Sequence, residues 1–349
     1  MEDYSKYLIY SGSTIHEALV RLDLLASDAT LFVVDKKNIL KGSITDGDLR
    51  RGFIKGKESK DRVDEVMNTN PKFIQKNQSN LNEVITYREL NIQIIPVIEG
   101  ATHTICNVLN LRKHKSYLPV DAVIMAGGRG QRLKPLTDST PKPLLEVGGK
   151  PIIAYNIDRL AKFGIDDITI SLNYKGEQVE SYFKDGQSRG VAIKYQWEST
   201  SLGTIGAVRS IESFKNDFVL VMNSDLLTNI DFEAFFKDFI DSKADFSILS
   251  IPYKVDVPYA VLDLDNKKIL GLKEKPSYTY YSNGGIYLMR RELVNKIPKD
   301  AYFNATDLIS LLLEEGKQIR SFPLVGYWLD IGNHEDFQKA QQEVKHIQF

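Results

Sequence analysis

Residues 121–151 read DAVIMAGGRGQRLKPLTDSTPKPLLEVGGKP, and the fold is decided by how this stretch is read. The apolar run Ala122-Val123-Ile124-Met125-Ala126 has the length of a buried strand and empties into Gly127, Gly128 and Gly130. A strand that ends in glycines predicts a loop whose backbone can approach a ligand closely. After the apolar run, Arg129, Arg132, Lys134, Lys142 and Lys150 crowd the segment against only Asp138 and Glu146, so the loop offers donors to a polyanion such as a nucleoside triphosphate. A strand and turn with a solvated basic face would need no order in its residues. Here Gly127-Gly128, Arg132-Leu133, Pro135-Leu136 and Pro141-Lys142-Pro143 follow one another as a set, which favours the ligand-binding reading.

Downstream of Pro151 the chain alternates. Ile152, Ile153, Ile157, Leu160 and Phe163 share a helical face that starts at Pro151 and is capped by Gly164. Strands are predicted at 167–173, 191–197, 218–223 and 246–251, with helices between them at 176–183, 203–213 and 232–242. This rhythm predicts an α/β fold with a Rossmann-like, mostly parallel sheet, whose ligands bind beyond the carboxyl ends of the strands. Residues 260–264 and 268–273 flank Asp265-Asn266 as a hairpin on the acceptor side, and a packing or dimerisation helix is expected over 335–347. The tyrosines at 278, 280 and 281 read equally well as a wall beside a ligand or as aromatic surface on a mobile loop.

Upstream, one motif is written twice. Ser13-Thr14-Ile15-His16-Glu17-Ala18-Leu19 parallels Ser79-Asn80-Leu81-Asn82-Glu83-Val84-Ile85, each a capping residue followed by an acidic first turn and an apolar face. Short apolar strands follow at 31–35 and 94–99. A closing element ends each copy, Gly42 to Arg51 in the first and Ile105 to Lys113 in the second. Residues 113–120, KHKSYLPV, read as a short polar linker. Two domains are therefore expected: residues 1–117, with copies at about 8–57 and 62–117, and residues 118–349.

A chain of 349 residues allows two domains with real cores. Its net charge of -1 gives no general attraction to nucleic acid or an acidic membrane, so neither is an expected partner. Cys106 is the single cysteine and permits no internal disulfide. The five histidines lack metal-ligand spacing, so a built-in zinc or iron site is not expected. Without a long apolar run at the start or a membrane-length stretch elsewhere, the expected location is the cytoplasm.

The 121–151 set resembles the signature of sugar-1-phosphate nucleotidyltransferases, enzymes of glycosyltransferase-A-like fold, and the later motifs extend the resemblance. It implies nucleotide contacts at Ala126, Gly127, Gly128 and Gly130, and catalytic cations at Arg132 and Lys142. Trp197 to Ala207, with Leu202-Gly203-Thr204-Ile205-Gly206, is similar to the family's second nucleotide motif and implies contacts at Glu198, Gly203 and Thr204. A carboxylate only accepts, so Glu198 suits a base edge with two donors, as guanine offers at N1 and N2, where glutamine would suit the mixed edge of uracil; guanine is expected first and cytosine second. Asn223-Ser224-Asp225 and Trp328-Leu329-Asp330 resemble the metal motifs, implying Mg²⁺ on Asp225 and Asp330. Glu274-Lys275-Pro276 and Asn283-Gly284-Gly285 resemble the sugar-phosphate motifs, with Glu274, Lys275, Asn283 and Gly285 on the acceptor and Lys275 also catalytic. The family's small hydroxyl residue before Arg132 is replaced by Gln131.

The N-terminal repeat resembles a tandem pair of cystathionine-β-synthase (CBS) repeats through Gly42, Thr45 and Asp48, which implies a regulatory nucleotide at Thr45 and Asp48. In the second copy Asn107 and Asn110 stand at the corresponding positions. Together the two parts are similar to the glucosamine-1-phosphate guanylyltransferases of bacterial legionaminic acid synthesis. The implied partners are GTP and a sugar 1-phosphate, and a homo-oligomer is expected. Mannose-1-phosphate, heptose-phosphate and cytidylyl versions are the alternatives within the class. A nucleotide-sensing regulatory protein with a lapsed transferase domain is the alternative outside it, and would need a missing metal ligand or loop arginine.

Overall fold

The computed structural model describes residues 3–76, 78 and 81–347. The chain divides into two compact units. One comprises Met1–Pro119 with Leu160–Asp167 and Asp185–Ala192, the other Val120–Arg159, Ile168–Lys184 and Ile193–Phe349. A boundary drawn once along the chain does not anticipate the two later segments of the first unit.

In the first unit β1 (Leu8–Tyr10), α1 (Ile15–Leu25), β2 (Thr30–Val34), β3 (Leu40–Thr45) and α2 (Asp46–Ile54) form one copy. The second copy is β4 (Ile74–Gln75), α3 (Leu81–Glu89), β5 (Ile94–Glu99) and β6 (Thr104–Asn110). Their topologies are the same: a parallel pair, β1 with β2 or β4 with β5, then an antiparallel partner, β3 or β6. Thr14 starts α1 through a capping box in which its hydroxyl accepts from Glu17 N at 3.2 Å and Glu17 accepts from Thr14 N at 2.7 Å. Ser79 and Asn80, read as the start of the second helix, lie outside the described residues. Helix α1 buries Ile15, Ala18 and Leu22 against Leu31, Val33 and Ile44, and each fully buried Leu or Ile contributes about 1.5–3 kcal/mol. Tyr7, Phe32 and Val34 of the first copy pack on Ile94, Ile98 and Ile105 of the second, so neither sheet is left with a wet apolar face.

The linker reading of residues 113–120 is corrected. Ser116 and Leu118 are buried, and Leu118 N donates to Phe163 O at 3.2 Å within the same unit. The polar composition had hidden the two residues that anchor it.

The second unit begins with β7 (Val120–Met125), the ribbon strands β8 (Glu146–Val147) and β9 (Lys150–Pro151), and α4 (Ile152–Lys162). It continues through β10 (Asp167–Leu172), α5 (Gly176–Phe183), β11 (Ala192–Trp197), β12 (Phe218–Asn223), β13 (Leu226–Thr228) and α6 (Phe232–Asp241). Then follow β14 (Phe246–Asp256), β15 (Val261–Asp265), β16 (Lys268–Lys273), β17 (Ser277–Arg290), α7 (Ala305–Glu314), β18 (Ile319–Pro323), β19 (Trp328–Asp330) and α8 (His334–Glu343). Seven strands form the central sheet in the order β11-β10-β7-β12-β17-β14-β18. Strands β7 and β12 are parallel, with Met125 opposite Asn223, so the loops that follow both strands open side by side. That places two of the predicted motifs at one sheet edge.

The sheet is mostly parallel but not wholly so, because β17 runs antiparallel between β12 and β14. Tyr278, Tyr280 and Tyr281 belong to this long strand rather than to a loop. Val123, Val219, Val221, Phe246 and Met289 form the core on one face, closed by Leu308 and Leu312 of α7. Helix α6 presents Phe232, Phe235, Phe236 and Phe239 at helical spacing, all buried, behind an Asp231 cap that accepts from Ala234 N at 3.1 Å. The helix predicted over 203–213 is reduced to a 3-10 turn at Gly206–Ser210. Helix α8 packs Ala340 and the following Val344 on Leu133, Val147 and Ile152, bracing the segment that continues the glycine loop.

Candidate active site

The glycine loop, the Asn223-Ser224-Asp225 turn and the segment from Glu198 to Thr204 enclose a cavity of about 470 Å³. Its lining brings together Gly127, Gly128, Gly130, Arg132, Lys142, Glu198, Gly203, Thr204 and Asp225, all predicted from sequence and spread over a hundred positions. Two glycines there have a steric reason. A Cβ on Gly127 would sit 2.9 Å from Glu198 Oε1, and Gly130 has φ +60 with Thr137 and Lys142 within 3.0 Å of the same position. Gly128 has open space beside it, leaving its backbone free toward the cavity.

Glu198 is 9% exposed and held from two sides: Ser171 Oγ donates to Oε1 at 2.5 Å and Leu202 N donates to Oε2 at 3.1 Å. Each oxygen keeps a second acceptor site. The carboxylate is therefore fixed in orientation, still acceptor-only, and faces the cavity.

Gly203 and Gly206 also have a steric reason within the chain itself. A Cβ on Gly203 would lie 2.6 Å from Phe303 O, and one on Gly206 2.7 Å from Ala301 O. The glycines admit the chain's own backbone, and Gly203 has φ +81, which explains the lost helix. Asn304 Oδ1 accepts from Thr204 N at 3.3 Å and Thr204 Oγ1 accepts from Ala305 N at 2.8 Å. This packing brings Tyr302 to the cavity, a residue in no motif.

Strands β13 and β19 pair antiparallel with Leu226 opposite Asp330, and Ile331 N donates to Asp225 O at 3.1 Å, so the two aspartates are neighbours. Lys142 Nζ donates to Asp225 Oδ2. Oδ1 of Asp225 and Oδ1 of Asp330 are buried without a hydrogen-bond partner. Burial and the nearby Asp225 charge push the Asp330 carboxyl up to about 6, against the opposing pull of Lys142 and Arg132. Two orphaned carboxylate oxygens side by side, one disfavoured as an anion, fit a divalent cation. No cluster of three or more potential protein ligands occurs among the described residues, so such a cation would take its remaining oxygens from substrate and water. The Arg132 guanidinium lies over Gly332, where a Cβ would come within 3.3 Å of Nη2.

Other predicted residues lie elsewhere. Ala126 is buried and its N–H donates to Ser171 O at 2.9 Å, so it supports the loop without reaching the cavity. Gly285 backs Asn223, a lining residue, with no room for a Cβ. Asn283 is exposed and caps Gly285 N at 2.9 Å. Glu274 and Lys275 are exposed on the projecting β15–β16 region and do not line the cavity. Gln131 lines it at the position where a small hydroxyl was expected.

In the N-terminal unit Thr45 lines a separate cleft of about 470 Å³, with Asp28, Ser43, Lys72 and Arg112. Asp48 is not in that lining: Oδ2 accepts from Thr45 N at 2.9 Å and Thr45 Oγ1 at 2.7 Å, and Oδ1 from Arg51 at 2.6 Å. Asp48 caps α2 in this structure. In the second copy Asn107 Oδ1 accepts from Val108 N at 2.8 Å, while Asn110 Nδ2 donates to Asp28 at 2.9 Å.

A mostly parallel sheet with a glycine loop at its carboxyl edge, a cavity lined by Arg132 and Lys142 and an adjacent carboxylate pair suits a phosphate-handling α/β enzyme. The chain belongs to the nucleotidyl transferase family, whose description matches residues 121–346. It is 30% identical over 231 residues to the D-glycero-alpha-D-manno-heptose 1-phosphate guanylyltransferase of Aneurinibacillus thermoaerophilus, covering 65% of this chain and 99% of that one. It is 29% identical over 252 residues to the UTP–glucose-1-phosphate uridylyltransferase of Synechocystis, spanning 65% of each. Among solved structures, a putative glucose-1-phosphate thymidylyltransferase from Bacillus anthracis in complex with a sucrose superposes with TM-score 0.55 at 29% identity, over 66% of this chain and 97% of that one. No described helix is long and apolar enough to cross a membrane.

Proposed function

We propose that this chain joins GTP and a sugar 1-phosphate, with glucosamine 1-phosphate the first choice, to give a GDP-sugar and pyrophosphate. The reading rests on one observation above the rest: Glu198, acceptor-only and clamped by Ser171 and Leu202, faces the same cavity as Arg132, Lys142 and Asp225. That edge matches the paired donors of guanine and mismatches uracil. The guanylyl relative supports the base; the family supports the reaction type.

In this reaction a phosphate oxygen of the sugar 1-phosphate attacks the α-phosphorus of GTP. The new P–O bond forms as the bond to the β-phosphate bridging oxygen breaks, and pyrophosphate leaves with that electron pair. Arg132 and Lys142 neutralise the phosphates, and the loop backbone at Gly128 orients them. Asp225 and Asp330 would hold Mg²⁺, which when bound would supply charge neutralisation for the phosphates. Lys275 and Glu274 take the acceptor, carried by the exposed β15–β16 region. The heptose 1-phosphate is the second reading for the sugar, favoured by the relative that this chain spans over 99% of its length.

The N-terminal unit is proposed to be a CBS pair that binds a regulatory nucleotide at the Thr45 cleft, supported by its twice-written topology. The deciding experiment sets four nucleoside triphosphates against glucosamine-, mannose-, heptose- and N-acetylglucosamine-1-phosphate, with pyrophosphate release as readout and Asp225→Ala as the inactive control. GTP is expected to exceed UTP and dTTP; a preference for either pyrimidine would remove the guanine assignment.

A further inference from the structure

Apart from Met125 and Pro143, the lining of the C-terminal cavity is polar or glycine, and among the described residues Tyr302 is the only aromatic ring in it. Its place is set through the backbone on its C-terminal side. Phe303 N donates to Leu202 O at 3.0 Å, and Phe303 O accepts from Ile205 N and Gly206 N, both at 3.2 Å. Thr204 N and Asn304 Oδ1 extend the seam at 3.3 Å, a hundred positions apart in the chain. Gly203 and Gly206 bring no side chain to this wall, and the residue that supplies one is Tyr302. The backbone is held while the side chain is not. Tyr302 is 65% exposed, and no hydrogen bond, ion pair or ring contact engages it among the described residues. A tyrosine with only two χ angles costs little entropy to hold, and its wet ring is area that a flat ligand would cover.

We propose that Tyr302 is the residue on whose ring the nucleotide base stacks, and so a second specificity-determining residue of the cavity beside Glu198; this rests on the reading of the cavity as a nucleotide site. The hydrogen bonds place it on the base side. Leu202 N donates to Glu198 Oε2 at 3.1 Å and Leu202 O accepts from Phe303 N at 3.0 Å, so Glu198 and the Tyr302 segment are tied to the same residue from either side. Arg132, Lys142 and Asp225, the groups suited to phosphate and metal, come instead from the loops that follow β7 and β12. The two contacts are complementary in kind. Hydrogen bonds from a base edge to Glu198 lie in the plane of the base and leave its faces open, whereas a stacked ring covers a face and fixes that plane. A polar lining with a single exposed aromatic offers the base no other π partner.

Calorimetric titration of the full chain decides it, with Thr45→Val and Lys72→Ala present in every protein so that the N-terminal cleft gives no signal. Tyr302→Ala should bind GTP about 5- to 100-fold more weakly, the range that losing one aromatic–base stack produces. Tyr302→Phe should recover most of that affinity, because it keeps the ring and drops only the hydroxyl. Inorganic tripolyphosphate, which has the phosphates and no base, should bind all three proteins alike. Unchanged GTP affinity in the Ala variant, a loss of equal size in the Phe variant, or a matching loss for tripolyphosphate overturns the proposal. In turnover the Ala variant should raise KM for the nucleotide and leave KM for the sugar phosphate unmoved; a rise confined to the sugar phosphate puts Tyr302 on the acceptor and also overturns it. If UTP is the tight ligand and shows the same loss and recovery, the stack stands and the guanine assignment falls. The same pattern without nucleotidyl transfer leaves the stack standing and counts against the reaction. Absence of binding by both GTP and UTP removes the nucleotide cavity and the stack with it.

Discussion

Asp330 is a site carboxylate whose protonation the fold alters, and the direction of its effect can be worked out. Its carboxyl is raised from 3.8 to about 6 in the folded chain, so the folded state holds a proton that the unfolded state has released. The stability this contributes is complete below pH 3.8 and is lost as pH rises through 6. Metal-free protein should therefore lose Tm between pH 5 and pH 7, and Asp330→Asn should flatten that decline. Mg²⁺ should restore the wild type at pH 7 but not the variant. Parallel slopes in differential scanning fluorimetry would count against the carboxylate pair as a cation site. At Glu198 the substitution to Gln turns one acceptor into a donor, and an unmatched buried polar contact costs about 1–3 kcal/mol. The GTP over UTP ratio in kcat/KM should fall roughly 10- to 100-fold; an unchanged ratio would mean the base is read elsewhere. Arg132, Lys142 and Asp225 were legible in the sequence because each lies within a short ordered motif. Tyr302 was not, since only the packing of Phe303 under Leu202 brings it to the cavity.

Helix α4 shows how a whole element positions the carboxylates. Asn156 and Arg159, 2% and 9% exposed, lie one turn apart on its buried side. Asn156 Nδ2 donates to Ser224 O at 3.3 Å and Arg159 Nε to Ile230 O at 2.8 Å, with Arg159 reaching Asn229 O as well. The helix thus grips the β13 segment on either side of Leu226–Thr228, next to Asp225. Arg159→Met keeps the bulk and leaves those carbonyls unpaired, so urea unfolding should show a loss of about 1–3 kcal/mol. Turnover should fall further than the amount of folded protein does, because β13 sets the place of Asp225. Equal falls would assign Arg159 to stability alone. The sequence carried the apolar face of α4 through its period, but a buried arginine in that face gives no periodic signal. Strand β17 was illegible for a related reason: its outer half is exposed tyrosine and its inner half is buried, so no single alternation runs along it. The 203–213 segment had helical composition, and the backbone of 301–303, distant in sequence, overruled it.

At the scale of the molecule, each unit holds a cleft of about 470 Å³, and the two differ in what they offer. The C-terminal one presents the Glu198 carboxylate, the proposed reader of the base. The N-terminal one is lined by Thr45, Lys72 and Arg112, donors suited to a phosphate, and by Asp28, which already accepts from Tyr7 and Asn110 at 2.9 Å. Asp48, implied at the regulatory nucleotide, is committed to capping α2, Asn107 accepts from Val108 N within the second copy, and Asn110 reaches Asp28 of the first. The repeated fold therefore predicts one nucleotide site in the N-terminal unit, not two. Titrating the full-length chain with ATP, whose adenine edge mismatches Glu198, should give saturable binding near one per chain by calorimetry. Thr45→Val with Lys72→Ala should abolish it, while GTP binding and turnover without ATP stay near wild type. Two ATP sites, or one that survives the double substitution, would place the nucleotide outside the Thr45 cleft and leave the repeat a structural module.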